Sequence, residues 1–194
     1  MTVIYSNFGD NDTAVLPLIW EGLPNVTVIE ITRNTVDYEN MVDAAIANET
    51  DTILFCGHGS EHGLLHPNLD SGQYILHELN CHLIHARRVI GFWCHASFFA
   101  EAHNLNGFFS SMYISNLNEA YSGGYTEALA TDIDESIRLF SGYLNGLLRA
   151  DVPMEDWIPQ LMVHMRPELE FEVYNYFGLR YFNCYEQTQE YETN

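Results

Sequence analysis

Lysine is absent from the 194 residues of this chain, where about ten would be expected from average usage. The seven basic side chains are all arginines: Arg33, Arg87, Arg88, Arg138, Arg149, Arg166 and Arg180. They face 27 acidic residues, for a formal net charge of −20. Such a deficit of positive charge argues against nucleic acid or an anionic membrane surface as partner, since both need clustered basic residues. It permits a cationic substrate, and it equally serves as a plain solubilising surface. The four cysteines, Cys56, Cys81, Cys94 and Cys184, form no C-x-x-C pair and no zinc-ribbon spacing, so free thiols are expected. No apolar run approaches the roughly 20 residues that span a bilayer. Met1 to Tyr5 lacks the basic flank and long apolar core of a signal peptide and reads as a first strand, so a cytoplasmic location is expected. Internal repeats and linker-like stretches are missing as well, which leaves a single domain over 1–194 as the simplest organisation. Its core is expected over about 2–148, followed by a helix and strand in 151–185 and a frayed polar tail in 186–194.

The apolar segments alternate between strand-like and helix-like. Val3–Ser6 reads as a strand, followed by a Gly/Asn/Asp loop over 7–12 in which Asp12 or Thr13 would cap a helix to Trp20. Pro17 is tolerable only near the start of that helix. Val26–Ile31 is β-branched and reads as a second strand, Asp37–Asn48 as a helix, and Thr52–Cys56 as a third strand. This β-α-β-α-β order argues for a parallel sheet with right-handed crossovers. The polar stretch from His58 to Gly72 predicts a functional loop or small hairpin. Ile75, Leu76, Leu79 and Leu83 fit one helical face. Val89–Trp93 predicts a further strand, Ala96–His103 a short helix, Met112–Ser115 a fifth strand and Asn116–Gly124 a polar loop. Ile133, Ile137, Phe140, Leu144 and Leu147 mark an amphipathic helix, and Met154–Met165 another helical stretch. Alternation through Phe171, Val173, Asn175 and Phe177 predicts a late strand. The expected architecture is a three-layer α/β sandwich around a mostly parallel sheet of about five or six strands.

Two of these segments carry the chemistry. Ile53-Leu54-Phe55-Cys56 stops at Gly57-His58-Gly59, and Val89-Ile90-Gly91-Phe92-Trp93 stops at Cys94. Neighbouring parallel strands ending this way bring His58 and Cys94 together at the carboxyl edge of the sheet, where open α/β sheets bind ligands. A thiol beside an imidazole is the minimum equipment for nucleophilic acyl transfer. Cys94 also precedes a predicted helix N-terminus, where N–H groups and the helix dipole favour a thiolate. The backbone N–H groups of Gly59 and Cys94 are candidate oxyanion donors. His95 is a rival base, but on an extended segment it points away from the partner of Cys94. His58, His62 and His66 are spaced as metal ligands on a helix would be, but Gly57, Gly59, Gly63 and Pro67 make a helix there improbable, and no HExxH motif is present. No metal or cofactor is expected.

An apolar strand ending in His-Gly, then a second apolar strand ending in Cys, 36 positions on, resembles the caspase-like cysteine peptidases: caspases, metacaspases, legumains, gingipains, clostripain and separase. The resemblance runs from Thr2 to about Leu148. It implies a caspase-like fold, a cysteine endopeptidase with Cys94 as nucleophile and His58 as proton carrier, and a peptide or protein substrate. In that group the loop after the first strand often reads the substrate's P1 side chain. Asp10 and Asp12 there resemble the branches that cleave after basic residues, although both also suit turn and capping roles. Trp93, where many members carry a small or acidic residue, is either core packing or a cleft wall. Ser115 and Asn116 are pocket candidates by their place at a predicted strand end. An inactive caspase-like binding or scaffold module and a metal-dependent hydrolase remain the alternatives.

Overall fold

Runs of apolar residues long enough for one strand and too short for a helix set the middle of this molecule. A computed structural model describes residues 1–69 and 72–183, so the expected tail over 186–194 lies outside the described residues. The strands are β1 (Thr2–Ser6), β2 (Thr27–Ile31), β3 (Thr52–Cys56), β4 (Gly59–Ser60), β5 (Gly63–Leu65), β6 (Tyr74–Leu76), β7 (Arg88–Phe92), β8 (Gly107–Phe109) and β9 (Arg180–Phe182). The α-helices are α1 (Asn11–Ala14), α2 (Tyr38–Asn48), α3 (Ala96–Ala102), α4 (Leu117–Ser122), α5 (Ala130–Arg149), α6 (Trp157–Met162) and α7 (Glu170–Phe177), with short 3-10 turns at Leu16–Ile19, Cys81–Leu83 and Met154–Asp156.

Six strands form the main sheet in the order β2-β1-β3-β7-β8-β9, the first five parallel and β9 antiparallel. All of β3 is buried, as expected of a parallel strand covered on both faces, and for that reason it reads as an unbroken apolar run. Successive side chains serve opposite cores. Val3, Leu54, Cys56, Ile90 and Phe92 pack with Ile137, Phe140 and Leu144 of α5 on one face. Ile4, Ile53, Phe55 and Val89 pack with Val42 and Ile46 of α2 and Phe99 of α3 on the other. The mostly parallel sheet with helices on both faces agrees with the expected α/β class. The chain leaves β1 towards β2 on one side and returns to place β3 on the other. The order therefore reverses between β1 and β3, which opens a crevice at their carboxyl ends. A small antiparallel sheet, β4-β5-β6, follows β3 and is tied to the end of β1 by the Ser6 hydroxyl, which donates to Leu65 O at 2.6 Å.

Several elements differ from expectation, each for a visible reason. The predicted helix over Ile75–Leu83 is β6 followed by a turn. The buried Asn80 amide donates to Ile75 O and to Asp43, and its oxygen accepts from the His77 N–H, so a side chain supplies the local pairing that a helix would have made. The fifth parallel strand is β8, three residues beginning at Gly107, and not Met112–Ser115. Met112–Ser115 is a loop because Ile114 exchanges both of its backbone hydrogen bonds with the Asn175 side chain, at 2.7 and 3.0 Å. Asn116–Gly124 contains α4, capped by the Asn116 side chain, which accepts from the Glu119 N–H, while Glu119 reaches back to the Ser115 N–H. The predicted strand over Phe171–Phe177 is α7. Its buried residues, Phe171, Glu172, Asn175 and Tyr176, follow helical spacing, and the late strand is β9. Asp10, and neither Asp12 nor Thr13, caps α1. No helix among the described residues is long and apolar enough to cross a membrane.

The C-terminal segment is pinned by a buried ion pair. Glu172, 2% exposed, accepts from the Arg166 N–H at 2.9 Å and from its guanidinium at 2.8 Å, and Arg166 also pairs with Glu135 of α5 at 2.6 Å. Arg166→Met leaves a buried carboxylate unpaired and is expected to lower stability by about 3–5 kcal/mol in urea unfolding. A loss below about 1 kcal/mol contradicts this assignment.

Candidate active site

Register places the ends of three parallel strands side by side. Tyr5 of β1 pairs with Cys56 of β3, and Cys56 with Phe92 of β7. The Gly57 N–H extends the β3–β7 ladder one step by donating to Phe92 O at 3.2 Å. Gly57 has φ +146°, and a Cβ there would lie 2.6 Å from Ser6 Cβ, so only glycine fits where the chain turns out of the sheet. His58 follows. Gly59 then lies directly against the Trp93 ring, with no room for a methyl group, and the indole Nε1–H donates to Ser60 O at 3.0 Å. The residue before Cys94 is thus bolted to the hairpin that begins after His58.

His58 is held on two sides. Its Nε2 hydrogen-bonds Asp10 Oδ2 at 2.8 Å, and Phe8 meets its ring edge-on at 4.7 Å between centroids. Nδ1 makes no hydrogen bond among the described residues and is the nitrogen left for proton transfer. Asp10 Oδ1 accepts from the Thr13 N–H at 2.9 Å and from the Thr13 hydroxyl at 2.8 Å. Burial acts to raise the Asp10 carboxyl, but the Thr13 donors and His58 outweigh it and hold the group below the usual carboxylate range. An ionised Asp10 fixes the imidazole and stabilises it when it takes a proton.

Cys94 and His58 line one cavity of about 30 Å³ with Asp12, Gly57, Tyr113 and Ser115 among its walls. That is room for about one water molecule, so any substrate must part the walls. The Cys94 Sγ–H donates to Tyr113 O at 3.7 Å. Burial pushes the thiol up to about 11; the Tyr113 contact opposes this weakly, and Glu119 and Asp12 add to it. At neutral pH Cys94 is therefore a thiol, and burial outweighs the features expected to favour its thiolate. The expected help from a helix N-terminus is slight, because α3 opens two residues later and runs for only seven residues. His95 turns the chain into it with φ +69°, and its ring packs by Phe98, away from the cavity. The Cys94 N–H donates to no group among the described residues, as an oxyanion donor requires.

The other candidates sort themselves by their partners. Asp10 orients His58 and is not free to read a substrate. Asp12 faces the cavity, where its Oδ2 accepts from Asn116 Nδ2 at 2.7 Å, and this bridge joins α1 to the start of α4. Ser115 lines the cavity with its N–H and hydroxyl both donating to Glu119. Trp93 borders the cavity but is 2% exposed and packs in the core against Phe99, so it is a structural strut and not an open cleft wall. Gly59 lies one residue beyond the cavity lining. His62 sits in an exposed turn and His66 is buried beside Tyr38, so their spacing from His58 brings no shared face. Sequence reasoning missed Tyr113 and Glu119, which lay in a predicted strand and a predicted loop. The sole signal for Glu119 was its place three residues after Asn116, the spacing of a helix cap.

No family model, no curated protein and no solved structure matches this chain.

The closed cavity generates a pH test. Alkylation of Cys94 by iodoacetamide is expected to rise with pH through a midpoint near 11. Asn116→Ser keeps a helix-capping oxygen but cannot reach Asp12, so water enters and the midpoint moves down towards the free-cysteine value of about 8.5. A wild-type midpoint already near 8.5, or no shift in the variant, contradicts the closed site.

Proposed function

We propose that this protein is a cysteine peptidase related to the caspase-like group, with Cys94 as nucleophile, His58 as proton carrier and Asp10 as the positioning residue for His58. The carrying observation is the 2.8 Å bond from Asp10 to a histidine that shares a cavity with Cys94, at the point where the strand order reverses. The Cys94 proton passes to Nδ1 of His58, directly or through one water, as Sγ attacks the scissile carbonyl. The oxyanion that forms is met by the Cys94 N–H, with the Gly59 N–H as the second candidate donor once the walls part. The tetrahedral intermediate collapses as imidazolium gives its proton to the leaving amine. Water, deprotonated by His58, then hydrolyses the thioester and restores the thiol. Asp10 stays ionised throughout. The residues require no metal or cofactor, and a reducing, cytoplasmic location suits a mechanism that needs a free thiol.

The substrate is a peptide or protein with a basic P1 residue. Asp12 is the acid on the cavity wall, and in the resting site the Asn116 amide donates to it where a substrate cation would. A cation that displaces this amide gains an unpaired carboxylate, and a neutral side chain does not. A chain without lysine cannot be cut by a lysine-specific peptidase, so lysine is the favoured P1 residue. The buried thiol and narrow cavity favour one second reading, a caspase-like module that binds peptides without cleaving them.

Matched peptides with P1 Lys, Arg, Asp and Leu separate these readings. Cleavage is expected to favour Lys, to disappear in Cys94→Ala and His58→Ala, and to fall roughly 10²- to 10⁴-fold in Asp10→Asn. Asp12→Asn is expected to erase the basic preference while retaining slow cleavage. Activity that survives Cys94→Ala excludes the mechanism, and binding without any turnover selects the module.

A further inference from the structure

Two cavities that share Tyr125, just beyond α4 in the chain, lie outside this chemistry. The first, about 450 Å³, has Met112, Tyr125, Tyr174 and Glu119 among its walls. The second, about 410 Å³, shares Tyr125 and is bordered by Glu127, Glu168 and Glu170. The Tyr125 and Tyr174 rings stand 6.0 Å apart and tilted by 48°. Glu170 borders the second cavity together with Tyr125, and burial first, then Tyr174 and the Glu170 carboxylate, raise the Tyr125 phenol. Among the described residues no basic side chain lines either cavity, and none of the four glutamates forms an ion pair.

Aromatic faces attract a cation through their quadrupole, and carboxylates without an ion-pair partner complete the neutralisation. A planar guanidinium serves both, because it stacks on a ring and forks to a carboxylate, whereas an ammonium is a compact, strongly hydrated charge. Both cavities fall within the size range of ligand sites. The geometry points to a guanidinium site between α4 and α7 that takes an arginine side chain of a basic peptide segment, stacked at Tyr125 and Tyr174, with its charge towards Glu119 and Glu170.

The site also reaches the reactive centre. Glu119 borders this cavity while its carboxylate accepts from both the N–H and the hydroxyl of Ser115, which lines the catalytic cavity. Glu119 is one of the two acids that hinder ionisation of Cys94. A cation bound at Glu119 offsets that charge, so occupancy favours the thiolate and speeds its reactions. This coupling, though not the binding, rests on the reactive centre proposed above.

The probe is N-acetylarginine amide, titrated into the Asp12→Asn protein, so that the acid of the catalytic cavity contributes nothing to the signal. N-acetylcitrulline amide is the neutral control. NMR of the tyrosine rings and the rate of iodoacetamide labelling at Cys94 are read together, and neither requires turnover. Failure of peptide cleavage therefore bears on the proposed function alone. A saturable shift of the Tyr125 and Tyr174 signals is expected with the arginine compound, with faster labelling of Cys94. Citrulline is expected to bind far more weakly, and Tyr174→Leu, at a residue that is already exposed, to weaken arginine binding roughly two- to five-fold. Equal binding of citrulline, or arginine binding unchanged by Tyr174→Leu, overturns the site. Binding that leaves the labelling rate unchanged overturns its link to Cys94.

Discussion

The contact of the Trp93 indole with the backbone of Gly59 is the constraint on which the candidate site depends. Parallel register alone brings the ends of β3 and β7 level, with Cys56 opposite Phe92. It does not decide where the chain goes next. Trp93 fills the space that a side chain at position 59 would need, and it holds Ser60 O through Nε1. Two chain segments that leave the sheet independently are thereby locked into one arrangement, and His58 and Cys94 face a common cavity as a result. Gly91 belongs to the same device, since a Cβ there would lie 2.8 Å from Trp93 Cζ3 and 2.5 Å from Phe109 Cδ1. A bulky residue before Cys94 is thus a structural requirement of this chain.

A second constraint is electrostatic. The cavity shared by His58 and Cys94 is narrow and its nearest charges are acids, so burial and like charge together keep Cys94 protonated. The same acids favour an incoming cation. Under the proposed function such a site rests as a neutral thiol and gains its reactivity with its substrate, when positive charge arrives and the walls separate. Asp12 and Asn116 mark where that separation must start, because their hydrogen bond joins segments 104 residues apart at the cavity's edge.

The buried parallel strands were legible because covering on both faces demands continuous apolar runs, as in Thr52–Cys56. The short strand Gly107–Phe109 was not, since three residues carry no period. Helix α7 read as a strand because Phe171, Val173, Asn175 and Phe177 alternate with polar or tyrosyl positions, and burial of Phe171, Glu172, Asn175 and Tyr176 is what distinguishes the helix. Asn175 pairs with the backbone of Ile114, 61 positions away, and Asn116 and Asn80 reach Asp12 and Asp43, 104 and 37 positions away; no local window contains such pairings. At the site, the strand ends placed His58, Cys94 and the acidic loop at one edge. The division of labour between Asp10 and Asp12 was hidden, because it follows from which of them caps α1 and so turns towards His58.

The central claim is a reactive Cys94 that depends on His58. The most direct measurement is mass spectrometry of the intact protein after exposure to a peptidyl chloromethyl ketone with lysine at P1, followed by mapping of the adduct. The account predicts a single adduct on Cys94 at neutral pH, lost in His58→Ala while the other cysteines stay unmodified. An adduct spread over several cysteines, or one on Cys94 that forms equally well without His58, would contradict it.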